Sequence, residues 1–471
     1  MNTFFFCLPL LLAGPTPPGQ ESHLSSTHAS YNGSALVLEG HVLLDHALGA
    51  LSAEKALLQK QEEGKDFPFS FIHLTKDVLL QFKTKAELRC QEAQLDFSEL
   101  TGQLHSSDGV LYKDLLRPDT SHPIPLELSG LHVDLTFSKQ EAPQQKATYS
   151  ILSLLAKEQV KIHYDKEFTL EADEATFQQD PSLQKQGGIL EAYPTKMGTS
   201  CRLSYQGEQV IADRIHIATE QNILSLTHPE GTLPSRLLSE ENQGSLSFQA
   251  EHLTWDHAKG VLFLKNQAKI QESSLGSLYA QKEMVIKQGK AQGKMVVEAV
   301  QIEGLSHLVH TTGEQVHSLT CLGSLQVDGL KGQVLATSPK NSQLCYKDTL
   351  LSLHADRALL EYSEETYEPI SLTLRGHIKI QSLDPNAPRY ALADRLLYAL
   401  DTKTVILSSS PGKRVLFQDA TQGIEMSARE VHLTEDLSTG QMQAKGVGDV
   451  KLSLSSEEKA LFQTMFSSSK E

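Results

Sequence analysis

The residues of this chain with the most chemical potential are acids that recur at one place in a short pattern. Asp or Glu follows a small residue in Ala53-Glu54, Ala172-Asp173, Ala212-Asp213, Ala250-Glu251, Ala355-Asp356 and Ala393-Asp394. Two convergent carboxylates are what glycoside hydrolysis needs, so the pattern invites a glycan-hydrolase reading. An acid that returns in most copies of a pattern, however, singles out no cleft, and such residues serve far more often as turn chemistry or a solvated face. Other catalytic signatures are missing. None of the 19 histidines stands in HExxH, Gly412-Lys413 is followed by Arg414 instead of a P-loop Ser or Thr, and Gly446-Val447-Gly448 lacks a third glycine. No G-x-S-x-G elbow is present. Cys90, Cys201, Cys321 and Cys345 show no CxxC and no metal-like spacing. They leave open either disulfides or thiols used as small apolar fillers. A binding protein without catalytic residues, cofactor or metal is expected.

Charge narrows the partners. The 471 residues include 58 acids and 42 bases, a net charge of −16, which disfavours a general electrostatic grip on nucleic acid or an anionic membrane surface. A hydrophobic fraction of 39% and a charged fraction of 21% exclude disorder and collagen. Phe4 to Ala13 form an apolar run too short to span a bilayer and of the length of a signal-peptide core, although no Lys or Arg precedes it. Export to the periplasm is expected, with residues 1–29 as leader and Thr27-His28-Ala29 as the better cleavage site.

The elements that must position any binding face come from a repeat. The pattern apolar, x, small, polar, polar, apolar, x, apolar begins at Leu51-Ser52-Ala53-Glu54-Lys55-Ala56-Leu57-Leu58 and returns every 35 to 42 residues, with its small residue at Cys90, Gly130, Ala172, Ala212, Ala250, Ala355, Ala393 and Ala428. Between Ala250 and Ala355 only its first half survives, at Ala280 and Cys321. Strand side chains alternate with period two, so the step of three from the small residue to the next apolar one requires an irregularity, and a β-bulge at the polar pair is expected. A second recurring unit begins at Gly40-His41-Val42, Gln159-Val160, Gln267-Ala268, Gly376-His377-Ile378 and Gly448-Asp449-Val450, and reads as half-buried strands. Segments 102–127, 138–150, 179–198 and 227–245 read as excursions. Ser455-Ser456-Glu457-Glu458 offers a capping box for a short terminal helix that could cover an open sheet edge.

The alternation of a G-x-V strand (Leu38-Glu39-Gly40-His41-Val42; Leu374-Arg375-Gly376-His377-Ile378) with an A-D-R-like strand (Ala53-Glu54-Lys55-Ala56; Ala393-Asp394-Arg395) resembles the OstA-like family. That family includes the periplasmic lipopolysaccharide-transport protein LptA and the N-terminal domain of LptD. The resemblance implies an all-β, elongated OstA-like β-jellyroll, the β-taco, built from about ten repeats and holding lipid acyl chains in an apolar slot. It implies lipopolysaccharide or lipooligosaccharide as ligand, LptD-like outer-membrane and LptC-like inner-membrane components as partners, and head-to-tail self-association. The chain departs from the family in being more than twice as long as LptA and in lacking the barrel of LptD. The expected organisation is a leader over 1–29, OstA-like repeats over 31–264, divergent repeats or an insertion over 265–350, repeats over 351–455, and a terminal helix and tail over 456–471.

The slot residues so implied are Leu170, Ala172, Val210, Ala212, Phe248, Ala250, Leu353, Ala355, Leu360, Ala393, Leu396 and Tyr398, with Arg357, Arg395 and Lys413 available to lipid phosphates. The same alternation equally describes plain sandwich core. An exported structural or surface β-repeat protein is therefore the standing alternative.

Overall fold

The computed structural model describes residues 23–60, 69–116, 123–140, 148–179, 187–235, 237, 244–272, 275–291, 294–312, 315–349, 351–363, 369–384, 386, 388–399, 402, 404–435 and 442–467. The apolar run at Phe4 to Ala13 lies outside them. These residues form 37 strands and one helix, so the fold is all-β. They divide into two compact units, one ending at Thr227 and the other beginning at His228.

In the N-terminal unit, consecutive long strands pair antiparallel with their neighbours: Ala35–His46, Gly49–Lys60, Phe69–Phe82, Glu87–Asp96, Thr101–Leu116, Ile124–Gln140, Thr148–Tyr164 and Phe168–Gln179. Each of these ladders breaks register near its middle, which divides every strand into two arms and the sheet into two walls. Phe168–Gln179 then pairs through its first arm with Cys201–Tyr205 and through its second with Gly188–Tyr193, after which the walls continue as separate short strands. In the C-terminal unit two ladders of short strands run through 265–350 and converge on the long strands Pro369–Ser382 and Arg389–Ala399.

The corner between the walls is made differently on alternate strands. Outgoing strands turn it with a step of three: inward Ala53 and Ala56 are buried with Glu54 and Lys55 between them. Return strands turn it with a step of four, as in Leu38 to Val42, Leu74 to Val78, Ala156 to Val160 and Leu374 to Ile378, all buried. Register is kept because Glu39 pairs with Lys55 and Val42 with Ala53, so that Gly40-His41 together oppose Glu54. The bulge expected at the polar pair therefore has its extra residue on the neighbouring strand. The reason is conformational. The two return residues are both left-handed, with φ between +42° and +78° at Gly40-His41, Lys76-Asp77, Glu158-Gln159, Asn266-Gln267, Gly376-His377 and Gly448-Asp449. Gly, Asn and Asp reach this region at least cost, which explains the glycines and polar residues that open the second sequence unit.

The recurring acids tie these corners down. Asp356 accepts a hydrogen bond from Nδ1 of His377 at 2.9 Å, and Glu54 lies 3.3 Å from Nδ1 of His41. Asp173 accepts from the Thr195 amide at 3.0 Å and the Thr199 hydroxyl at 3.1 Å, and that amide leads in holding its carboxyl below the usual range. Asp394 accepts from the Ser410 amide at 2.8 Å and Lys413 Nζ at 3.1 Å.

Two expectations change. Most of 102–127 is strand, because Leu104, Ser106, Val110 and Tyr112 keep an inward row through a Ser- and Gly-rich stretch; Glu230–Ser235 is likewise a strand within 227–245. His28–Tyr31 is a strand that pairs with Leu36–Glu39. The helix Ser456–Ser467 does carry its capping box, Ser455 N–H donating to Glu458 Oε2 at 2.7 Å and Glu458 N–H to Ser455 Oγ at 3.2 Å. Its Phe462 and Phe466 pack on Tyr390, Leu392 and Leu416, outward neighbours of inward Ala391 and Phe417, so it covers an outer face. The edge of Ile424–Ala428 is met instead by Lys451, which exchanges backbone bonds of 2.8 and 2.9 Å with Ser427.

The corner makes a testable demand. Gly376 (φ +78°) has the Asp356 side chain where a Cβ would stand, whereas Gly412 (φ +85°) has nothing within 4 Å. Gly412→Ala should cost about 1 kcal/mol for its left-handed backbone and Gly376→Ala roughly two to three times that, read from urea unfolding midpoints. Equal losses would contradict the corner as described.

Candidate functional site

The inward face of the N-terminal unit is filled. Leu170, Val210 and Ala212 are all at most 2% exposed, and Ala172, at the corner beside Asp173, is half-buried. At the rim farthest from the corner, the His46 ring lies 4.3 Å from Phe97 and 5.6 Å from Tyr149, with Phe97 and Phe137 6.1 Å apart. Tyr164 also donates to Asn222 Oδ1 at 3.1 Å. His46 Nδ1 accepts the Leu48 amide at 3.1 Å, so the ring is neutral there. Burial, with Lys83 adding to it, pushes its pKa down to about 4.

The C-terminal unit begins closed and then opens. Ser235 bridges in parallel to Val297 of the opposite wall, and Phe248, Ile270 and Leu275 are buried nearby, with Ala250 half-buried at its corner. Farther along, the inward row nearest the corner stays covered: Ala355, Ala358, Leu374, Ala393, Leu396, Leu407 and Val431 are buried, as is Leu353 one step farther out on its wall. The next row outward on the second wall does not. Leu360, Leu372, Tyr398, Val405, Leu433 and Ala444 follow one another in register across six adjacent strands and are half-buried. Leu308, Leu319 and Ile380 face inward from the first wall with the same partial exposure. Both walls thus keep a covered inward row next to the corner and a second apolar row that still reaches water. Toward the C-terminal end, Phe417, Ile424, Met426 and Ala444 line a small pocket together with the Arg389–Asp419 ion pair of 2.9 Å.

The first wall carries a polar chain at its rim. His317 lies two residues before inward Leu319, and its Nδ1 is 2.7 Å from the Tyr346 hydroxyl, which donates to Asp348 Oδ2 at 2.9 Å. Burial first, then Asp348 and Tyr398 of the opposite wall, push the Tyr346 phenol well up. His310 stands beside His317, with ring centroids 6.4 Å apart. Sequence reasoning passed over these residues because the repeat pattern fades between Ala250 and Ala355. The alternation His317, Leu319, Cys321 was the available signal.

Of the residues expected from sequence to face inward, Leu360 and Tyr398 are half-buried in the C-terminal unit, and Leu353, Ala355, Ala393 and Leu396 are buried there. Leu170, Ala172, Val210 and Ala212 belong to the closed unit, and Phe248 and Ala250 to the closed start of the second. The three cations expected near phosphates stand at corners: Arg357 and Arg395 are exposed there, and Lys413 binds Asp394. Among the described residues the four cysteines are free, and burial pushes the Cys90 and Cys201 thiols up to about 12. No group of three or more His, Cys, Asp or Glu side chains among the described residues is arranged to hold a metal ion, and no described helix is long and apolar enough to cross a membrane. The sequence matches no protein-family model and no curated protein.

The closed rim is acid-sensitive in a defined window. His46 has a folded pKa of about 4 against 6.5 ordinarily, so its contribution is complete above pH 6.5 and is lost as pH falls toward 4. The loss is on the order of 3 kcal/mol. His46→Phe should flatten the stability profile between pH 6.5 and 4 in urea titrations; an unchanged slope would contradict a buried neutral imidazole.

Proposed function

We propose that this chain carries an amphipathic lipid, with its acyl part in the apolar cleft of the C-terminal unit, and that it does so in the periplasm as an OstA-like lipopolysaccharide or lipooligosaccharide transport protein. The observation that supports the reading is the partly exposed apolar row from Leu360 to Ala444. An ordinary sandwich has no reason to leave six consecutive apolar positions of its inward face in contact with water, since burying each side chain is worth about 1.5 to 3 kcal/mol. A cleft of this kind gains from an alkyl chain what it lacks from its own walls. The V-shaped jellyroll of that family fits strands bent at a common corner. LptD-like and LptC-like partners, and association of copies end to end, belong to the same proposal. The N-terminal unit favours a second role within it. Its filled interior suits a structural spacer, without lipid.

The test is photo-crosslinking with a probe at Leu360 and Leu433, at outward His354 and His377, and at Leu170 in the closed unit. Adducts to purified lipopolysaccharide at the first two positions alone are expected. Adducts at Leu170 would contradict the closed unit, and adducts nowhere, in a folded protein, would overturn the carrier reading.

A further inference from the structure

We propose that His105 and His132 form a site for a divalent metal ion of the zinc kind on the outer surface of the N-terminal unit, with two imidazole nitrogens as protein ligands and water completing the coordination. The two residues pair across the adjacent strands Thr101–Leu116 and Ile124–Gln140, beside the corner. Both are exposed, and their Nδ1 atoms are 3.2 Å apart. A head-on N–H···N bond would add a ring radius at each end of that separation. The ring centroids, however, are only 4.5 Å apart with planes 24° from parallel, so the nitrogens lie side by side. Two imidazoles approach one ion in this way. At the usual Zn–N length of about 2.0 to 2.1 Å, nitrogens so spaced subtend an angle of about 100° to 106° at the metal, close to tetrahedral.

The surroundings suit a cation. Neither ring has another hydrogen-bond partner among the described residues, whereas His73 is held by Glu92 at 2.7 Å and His317 by Tyr346 at 2.7 Å. Glu92 pairs with His105 from the strand on the other side, which sets a carboxylate beside the ligands on the same face. Lys157 pairs with His132, but its charge is taken up by Asp134 at 2.9 Å. In the free protein the hydrogen between the two Nδ1 atoms belongs to one of them; with an ion bound it moves to Nε2 of the same ring, which leaves both Nδ1 lone pairs to the metal. The position also has a use for a clasp. Between the pairs His105–His132 and Val110–Gly130, the four residues Ser106 to Gly109 oppose Leu131 alone, whereas at Gly40-His41 two residues oppose one. An ion joining the two strands beside this long bulge holds their register. The site stands apart from the lipid reading and does not rest on it.

The experiment is calorimetric titration of zinc chloride into the full chain, stripped of metal with a chelator, and into His105→Gln, His132→Gln and the double variant. Both side chains are exposed, so the variants should unfold at the same urea midpoint as the unaltered chain when no metal is present. Each single variant should weaken zinc binding about ten-fold or more, no less than follows removal of a group that only supports a ligand. The double variant should lose little further, because the two rings serve one ion. Zinc should also raise the urea midpoint of the unaltered chain and leave those of the variants where they were. Zinc binding that survives both substitutions, losses that add as if from two separate sites, or no zinc binding to the unaltered chain would each overturn the proposal.

Discussion

The two-walled architecture depends on how an antiparallel pair of strands can turn a common corner without losing register. A strand that bends must keep its apolar residues inward on both sides of the bend, and its neighbour must bend at the same level. Here one strand advances three residues and the next advances four, and the additional residue is taken up by a left-handed pair. Repeating this two-strand solution within each unit keeps the apolar residues of both arms on the inward face. The acid opposite the left-handed pair contributes by accepting hydrogen bonds from the neighbouring corner, a structural use for residues whose recurrence first suggested chemistry.

Given the corner, the side chains that stand on the inward faces decide what the interior becomes. In the N-terminal unit, aromatic rings at the rim fill the gap, and His46 is held neutral among them. In the C-terminal unit the walls are bridged at Ser235 and Val297, but the inward row from Leu360 onward reaches solvent. One pattern of alternation thus supports a packed core at one place and a half-buried apolar row at another. The hydrophobic effect favours covering either, by the protein's own side chains in the first case and by a ligand in the second.

That difference marks how far the sequence could be read. The corner was legible because a step of three contradicts strand alternation at Ala53, Ala212 and Ala393 alike. The left-handed pair was legible only as glycine or a polar residue at the start of a unit, since Lys76-Asp77 and Glu158-Gln159 carry no glycine. The terminal helix was legible through Ser455 and Glu458, whose reciprocal bonds are local. Its docking face was not, because Leu416 and Tyr390 are distant in sequence from Phe462. Buried and half-buried inward positions could not be told apart, because Phe177 and Leu360 have the same place in their strands, and only the fold buries the first and leaves the second half-buried. The polar rim was hidden for a related reason: His317, Tyr346 and Asp348 come together only through strand pairing.

The central claim is that the inward face is closed in the first unit and open in the second, and thiol alkylation tests it most directly. Leu170→Cys, Val210→Cys, Leu360→Cys and Leu433→Cys would be treated with a small maleimide under native conditions, and the rates compared with the unaltered chain. The account predicts rapid modification at positions 360 and 433, slowed by dodecyl maltoside, and rates at 170 and 210 no faster than those of the buried native thiols. Uniformly slow modification would mean that the C-terminal cleft is core, and uniformly fast modification would mean that the N-terminal unit is not closed.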